Sequence, residues 1–102
     1  MVITKKFDNG RMVVAVSGRV DTNTAPELSA AMQLDGVKDL LIDLSSVPYM
    51  SSAGLRCLLV AQKSMSATGG VMRLADVSPT VMEVLDLTGF SSIFTIVKTT
   101  VS

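Results

Sequence analysis

Residues 40–65 read LLIDLSSVPYMSSAGLRCLLVAQKSM, which is the pattern of a strand, a loop and a helix. The segment 38–44 is nearly continuous in apolar side chains, as is typical of a strand covered on both faces in a parallel sheet. A loop over residues 45–50 follows, and Ser51 or Ser52 is expected to cap the helix. Apolar side chains then recur at helical spacing until a pair of glycines ends the helix. This order predicts one strand-to-helix crossover of an α/β domain.

Upstream of this unit, the sequence predicts a hairpin and a first helix. Residues 1–7 and 11–19 have the pattern of two strands, and the Asp-Asn-Gly turn at 8–10 indicates that they pair in antiparallel orientation. Thr24 and Glu27 have the spacing of a capping box at the start of the helix. The inward face of this helix is expected to carry Leu28, Ala31 and Met32, and the helix is expected to end near residues 34–36.

Downstream of the unit, the same alternation continues. Residues 71–75 are predicted to form a strand. Ser78 and Pro79 are a typical helix start, with a capping residue followed by proline in the first turn, and Gly89 is expected to end that helix. A last short strand is predicted over residues 93–97.

The complete order is strand, strand, helix, strand, helix, strand, helix, strand. It predicts a single α/β domain over residues 1–102 with a mainly parallel sheet of about five strands and an antiparallel N-terminal edge. The helices are expected between the strands, in right-handed crossovers.

Composition excludes several classes of function. Nine basic residues balance nine acidic ones, and a net charge of zero argues against nucleic-acid binding. The chain has no histidine, so the commonest general base and the commonest metal ligand are missing, and we expect neither a metal nor a cofactor. The single cysteine, Cys57, cannot form an internal disulfide and is interpreted as a core residue. With no predicted membrane span or signal peptide, we expect a cytoplasmic protein.

The serines at the start of the second helix are the first candidates for a functional site. Helix N-termini present free N–H groups and a partial positive charge, so a phosphate on Ser52 would be well accommodated there. The alternative is that Ser51 and Ser52 are only helix caps. A hydrolase nucleophile is disfavoured, because the glycine needed two residues before Ser52 is replaced by Met50 and no histidine completes a triad.

Two aspartates are further candidates. Asp21 follows the second strand and Asp43 lies near the end of the third, so both are expected near Ser52 at the carboxyl edge of the sheet. Alternatively, Asp21 caps a turn and Asp43 is a solvated charge. Met50 and Met65 are either core residues or adaptable contacts for a partner, and Tyr49 is a candidate exposed contact. No glycine-rich phosphate-binding loop is present.

Three segments of the chain resemble a known family. Residues 18–28 (GRVDTNTAPEL), residues 41–56 (LIDLSSVPYMSSAGLR) and residues 87–90 (LTGF), followed by Phe94, resemble the motifs of STAS-domain anti-sigma factor antagonists, in the family's order. The resemblance implies a STAS fold and a regulatory protein rather than an enzyme. It also implies partner switching, in which the unphosphorylated antagonist binds an anti-sigma factor serine kinase and thereby releases a sigma factor.

The resemblance further implies which residues carry the switch. The family's phosphorylated serine lies two residues before a glycine, which corresponds to Ser52, with Ser51 in place of the family's aspartate and Ala53 in place of its second hydroxyl residue. A serine phosphatase would reverse the modification. The implied partner-binding residues are Asp21, Thr22, Asn23, Thr24, Tyr49, Met50, Ser51, Ser52, Gly54 and Arg56. The alternative function is a STAS accessory subunit of a transporter or lipid-export complex. A small enzyme or nucleotide-binding domain is disfavoured by the missing histidine and phosphate-binding loop.

Overall fold

A computed structural model describes residues 1–32 and 36–98 and contains one sheet and three α-helices in that part of the chain. The strands are β1 (Val2–Asp8), β2 (Arg11–Ser17), β3 (Asp39–Ser46), β4 (Val71–Ala75) and β5 (Thr95–Val97). The helices are α1 (Ala25–Ala31), α2 (Ser52–Ala67) and α3 (Pro79–Thr88), and a short 3₁₀ turn occupies Phe90–Ser92.

The strands lie side by side in chain order, from β1 to β5. β1 pairs with β2 in antiparallel orientation, and every later pair is parallel. The predicted fold class is therefore confirmed. Because each right-handed crossover moves the chain one strand further in the same direction, successive helices must lie on the same side of the sheet.

The core confirms this one-sided arrangement. Alternate side chains of β2, β3 and β4 form a single buried cluster with the inward faces of all three helices. The cluster consists of Val14, Val16, Val20, Leu28, Leu40, Ile42, Leu44, Val47, Met50, Leu55, Leu58, Ala61, Met65, Met72, Leu74, Val81, Leu85 and Phe94.

The expectation that β3 is covered on both faces holds at its centre, where Leu40, Leu41 and Ile42 are all buried, but in the described part of the chain helices cover only one face. Leu41 points away from the cluster and is still only 7% exposed, yet none of the described helices packs over it. On this helix-free face, Asp39 pairs with Arg11 at 3.4 Å and with Arg73 at 3.3 Å. The apolar run of β3 therefore indicated burial within the middle of a sheet, not a second layer of helices.

Turn residues and glycines explain several element boundaries, whereas Ser78, the predicted cap of α3, forms no cap hydrogen bond and donates to the carbonyl of Val47 at 2.7 Å instead. Asn9 and Gly10 have φ angles of 51° and 80°, which is the geometry of a tight hairpin turn and confirms the predicted turn. Gly89 ends α3 with a φ of 78°, as expected. The first helix ends earlier than predicted: α1 stops at Ala31, with Met32 as its C-cap, instead of near residues 34–36.

Two predicted strands were too long. β2 ends at Ser17 rather than Arg19, because Gly18 turns the chain with a φ of 105°. β5 begins at Thr95 rather than residue 93, because Phe90–Ser92 forms a 3₁₀ turn before it. In the described ranges, none of the helices is long and apolar enough to cross a membrane.

Candidate functional site

Two loops meet at the carboxyl edge of the sheet, and they are hydrogen-bonded to each other. We name residues 18–24, after β2, the first loop, and residues 47–51, after β3, the second loop. The N–H of Val20 donates to the carbonyl of Tyr49 at 3.0 Å, and the carbonyl of Val20 accepts from the N–H of Ser51 at 2.8 Å. The two loops therefore form one surface whose parts hold each other in place.

Asp21 organises the first loop through its carboxylate. Its Oδ1 accepts hydrogen bonds from the N–H of Asn23 at 2.9 Å and the N–H of Thr24 at 3.1 Å, and its Oδ2 accepts from Arg19 Nε at 3.3 Å. These donors, with the N–H of Thr24 having the largest effect, hold the pKa of Asp21 below its ordinary value. Asp21 is thus the turn-capping residue that the sequence offered as one of two alternatives.

The predicted capping box is wrong. The Thr24 hydroxyl makes no cap hydrogen bond to α1. It bonds back into the loop instead, accepting from the N–H of Asp21 at 2.9 Å and donating to the carbonyl of Arg19 at 3.0 Å. Because the Thr24 hydroxyl both accepts and donates hydrogen bonds within the loop, it does not form a capping box with Glu27.

Ser52 is the first residue of α2 and is exposed. It lines a shallow cleft of about 400 Å³ between the first loop and the starts of α1 and α2. The cleft is lined by Thr22, Ala25, Pro26, Ser52, Ala53, Arg56 and Cys57. The Ser52 hydroxyl is therefore accessible at a surface shared by both loops, at the end of a helix where its dipole favours negative charge.

Ser51 occupies the N-cap position of α2, but its side chain makes no cap hydrogen bond. Its Oγ is buried and has no hydrogen-bond partner among the described residues. The prediction that Ser51 or Ser52 caps the helix is therefore right about where the helix begins and wrong about a hydroxyl forming the cap.

Two of the expected partner contacts are internal. Met50 is only 1% exposed, and Gly54 is buried in the first turn of α2. A Cβ atom at Gly54 would lie 2.6 Å from Val20 Cγ1 and 2.7 Å from Met50 Cγ. The expectation that Met50 and Gly54 contact a partner directly is therefore wrong. These two residues instead allow α2 to pack against the two loops. Met65 is also a core residue, at 6% exposure.

Tyr49 is half-buried, and Arg19 covers its ring. The Arg19 guanidinium lies 4.1 Å from the ring centroid, within the range of a cation–π contact. Arg19 thus links the two loops by touching Tyr49 and Asp21 at once. Sequence reasoning missed this role of Arg19; the only signal was a cation two residues before Asp21.

Asp43 does not join the site. Its Oδ1 accepts from the N–H of Ser45 at 2.9 Å, and no hydrogen bond or ion pair in the described ranges connects it with Asp21 or Ser52. The reason is the pleat of β3, which places Asp43 on the helix-free face because its neighbours Ile42 and Leu44 face the helices. The expectation that these three residues are neighbours is wrong for Asp43.

The remaining chemistry of the site is limited. Burial raises the pKa of the Cys57 thiol, whose Sγ lies 3.4 Å from the carbonyl oxygen of Ala25. Within residues 1–32 and 36–98, no group of three or more histidine, cysteine or acidic residues could hold a metal ion. The site offers the exposed hydroxyl of Ser52, the guanidinium of Arg56 in the same cleft, and two loops hydrogen-bonded to each other.

The sheet is wound in one direction, and an exposed serine lies where a loop enters α2. Similarity to known proteins identifies the family with this architecture. Residues 2–102 match the STAS domain family, and the chain belongs to that family. BtrV of Bordetella bronchiseptica, a candidate anti-sigma factor antagonist, is 35% identical over 97 residues, covering 92% of this chain and 84% of BtrV. The anti-sigma-B factor antagonist of Listeria monocytogenes is 33% identical, covering 90% of this chain and 83% of that protein. An anti-sigma factor antagonist of Mycobacterium paratuberculosis has a similar structure, with a TM-score of 0.85 and 29% identity, covering 94% of this chain and 84% of that one.

Proposed function

We propose that this STAS domain is a cytoplasmic anti-sigma factor antagonist controlled by phosphorylation of Ser52. In its unphosphorylated form it binds an anti-sigma factor that is also a serine kinase, and a sigma factor is released. Phosphorylation of Ser52 breaks the complex, and a serine phosphatase restores it. The observation that carries the proposal is the exposed Ser52 hydroxyl at the start of α2, beside the first loop. The names of the similar proteins support the same function.

The proposed interface consists of the exposed parts of the two loops and the first turns of α2. Its residues are exposed or half-buried, and the hydroxyl of Ser51 itself is buried: Asp21, Thr22, Asn23, Thr24, Tyr49, Ser51, Ser52 and Arg56. The hydrogen bonds between the loops hold this surface in one conformation before binding, which lowers the entropy lost on association. The domain itself acts as a binding module without catalysis.

The physical basis of the switch is the charge of the phosphate. Phosphorylation adds nearly two negative charges and three acceptor oxygens to a position that otherwise carries a small hydroxyl. In the free domain, the start of α2 and the surrounding solvent accommodate that charge. In a complex, the same charge would be buried against a surface shaped for a hydroxyl, at a cost of several kcal/mol. The complex should therefore dissociate.

The test is a kinase reaction with the cognate anti-sigma factor, ATP and magnesium, followed by intact-mass measurement and peptide mapping. We expect one phosphate, on Ser52. Ser52→Ala should bind the partner constitutively, Ser52→Asp should bind poorly, and the matched variant Ser51→Ala should still be phosphorylated. Phosphate on Ser51 alone, or no phosphate with any cognate kinase, would contradict the assignment of Ser52.

Affinity capture from the native cell separates this proposal from the alternative function. An ATP-binding kinase-fold partner that is lost on phosphorylation supports an anti-sigma factor antagonist. Recovery of a transporter or lipid-export complex instead would favour the accessory-subunit alternative.

A further inference from the structure

Arg56 lies one helical turn after Ser52, in the same cleft. Both side chains are exposed, and both line the cleft between the first loop and the starts of α1 and α2. In the part of the chain that the structure describes, the Arg56 guanidinium forms no ion pair and no side-chain hydrogen bond. It is therefore free to bind a new group that appears beside it.

The sequence of α2 leaves Arg56 with one possible polar neighbour on its own helix. The residues three and four positions away in either direction are its helical neighbours, and here they are Ser52, Ala53, Leu59 and Val60. The helix has no acidic residue in its first turn. Ser52 is thus the only position from which α2 itself could present an anion to Arg56.

The direction of this pair is the favourable one. On a helix, a pair with the anion at position i and the cation at i+4 is more stabilising than the reverse order. An anion at position 52 also lies at the start of α2, where the helix dipole favours negative charge. The planar guanidinium can also donate two parallel hydrogen bonds to phosphate oxygens, which an ammonium group cannot match in geometry.

Other cations are less suitable. Arg19 is paired with Asp21 at 3.3 Å and covers the ring of Tyr49. Lys63, the other charged residue of α2, lies eleven positions after Ser52 by sequence, about three helical turns away. In the cleft, the titratable side chains besides a modified Ser52 are Arg56 and Cys57, and burial keeps the thiol of Cys57 protonated near neutral pH. On the elements that flank the cleft, the anions are Asp21 and Glu27.

We propose that Arg56 is the residue that binds the phosphate of phosphorylated Ser52, across one turn of α2. This inference rests on the proposed modification of Ser52. It adds a second consequence to the switch: once paired with the phosphate, the Arg56 guanidinium is no longer available to the partner. Phosphorylation then removes a small hydroxyl and a free guanidinium from the interface in one step.

The test installs phosphoserine at position 52 by genetic encoding and follows the second ionisation of the phosphate by ³¹P NMR. Arg56→Gln should raise the midpoint of that ionisation by about 0.5 pH unit, because the dianion loses its cation. Arg56→Lys should restore part of the difference, and the matched control Lys63→Gln should leave the midpoint unchanged. Since the pair is exposed, the effect of Arg56→Gln should shrink in 1 M salt.

An unchanged midpoint in Arg56→Gln, with the fold confirmed by circular dichroism, would overturn the inference. So would an equal rise in Lys63→Gln, which would indicate a general effect of net charge. The experiment needs neither kinase nor partner, so its outcome is independent of the proposed function. If no cognate kinase modifies Ser52, the proposed switch is wrong. If Arg56→Gln leaves the phosphate midpoint unchanged, only the role of Arg56 is wrong.

Discussion

At the scale of single residues, Asp21 fixes the shape of the first loop, which belongs to the proposed partner interface. Asp21→Ala removes the acceptor for two backbone N–H groups and the partner of Arg19. Because the loop would lose its fixed conformation, we expect affinity for the anti-sigma factor to fall about tenfold or more, as for one interface hot spot. Calorimetry with the purified partner measures this, and the thermal transition should still show a folded domain.

The matched variant is Asp21→Asn, which keeps the Oδ1 acceptor and loses only the charge. If the carboxylate acts mainly by organising the loop, Asp21→Asn should retain most of the affinity that Asp21→Ala loses. If Asp21→Ala and the parent bind the anti-sigma factor with equal affinity, the first loop is not part of the interface. Equal losses in both variants would show instead that the partner reads the charge of Asp21.

Residue roles were the least predictable part of the site. The sequence identifies Thr24, Ser51 and Asp43 as polar groups near element ends, but a side chain can choose among several backbone donors within reach. Thr24 bonds back to the first loop, the Ser51 hydroxyl has no partner among the described residues, and the pleat turns Asp43 to the other face. Which bond forms depends on how two loops from distant parts of the chain meet, and local spacing does not contain that information.

At the scale of elements, the start of α2 depends on the missing side chain of Gly54. Gly54→Ala would place a Cβ atom against Val20 and Met50, at distances that real contacts do not reach. We expect the free energy of unfolding to fall by about 1–3 kcal/mol, because overpacking outweighs the roughly 1 kcal/mol gained from the higher helix propensity of alanine. Urea denaturation measures the change.

The control for helix propensity is Ser64→Ala, an exposed position on the same helix. It should change stability by no more than about 0.5 kcal/mol. Gly54→Ala should also weaken partner binding, because the displaced helix would separate the two loops that Val20 holds together. A Gly54→Ala protein at least as stable as the parent would show that α2 can shift without cost.

Elements were more predictable than side chains, for a physical reason. β4 and α3 were predicted within a residue of their bounds, because proline, glycine and apolar periodicity are local signals that act on the backbone directly. The end of β2 was missed because Gly18 turns the chain, and the start of β5 was missed because a 3₁₀ turn precedes it. An apolar side chain indicates burial rather than strand pairing, and Phe94 is buried at 6% exposure although it lies before the start of β5.

At the scale of the whole molecule, the order of elements predicted the fold class, but neither the strand order nor the number of helix layers followed from it. Both a sheet wound in one direction and a sheet with helices on both faces contain alternating strands and helices. A nearly continuous apolar β3 favoured two faces covered by helices, and in the described part of the chain helices cover one. Leu41 is shielded within the sheet at 7% exposure, so its burial does not require a helix above it.

The same whole-molecule view predicts how pH acts on the switch. The chain has no histidine, the side chain that ordinarily changes charge between pH 5 and 8. The pKa of Asp21 is lowered and that of Cys57 is raised, so both move away from this range. The free energy of unfolding of the unphosphorylated domain should therefore be nearly constant between pH 5.5 and about 7. A phosphate on Ser52, with an ordinary second pKa of about 6, would be the one new group that titrates there.

The sign of its effect follows from the start of α2. The helix dipole favours the dianion, so the phosphate pKa should be lower in the folded domain than in the unfolded chain. The phosphate therefore stabilises the folded domain at pH values above the unfolded pKa, and this stabilisation is lost as the pH falls through the folded pKa. The domain carrying phosphoserine at position 52 should thus gain about 0.3–1 kcal/mol of stability, relative to the unphosphorylated domain, between pH 5.5 and about 7. Urea denaturation of both forms at four pH values measures this. Ser52→Asp is the control, because a carboxylate does not titrate in this range and its curve should stay flat. A phosphorylated domain that loses stability as pH rises would mean that the carboxylates of Asp21 and Glu27 outweigh the helix dipole and Arg56 at this position.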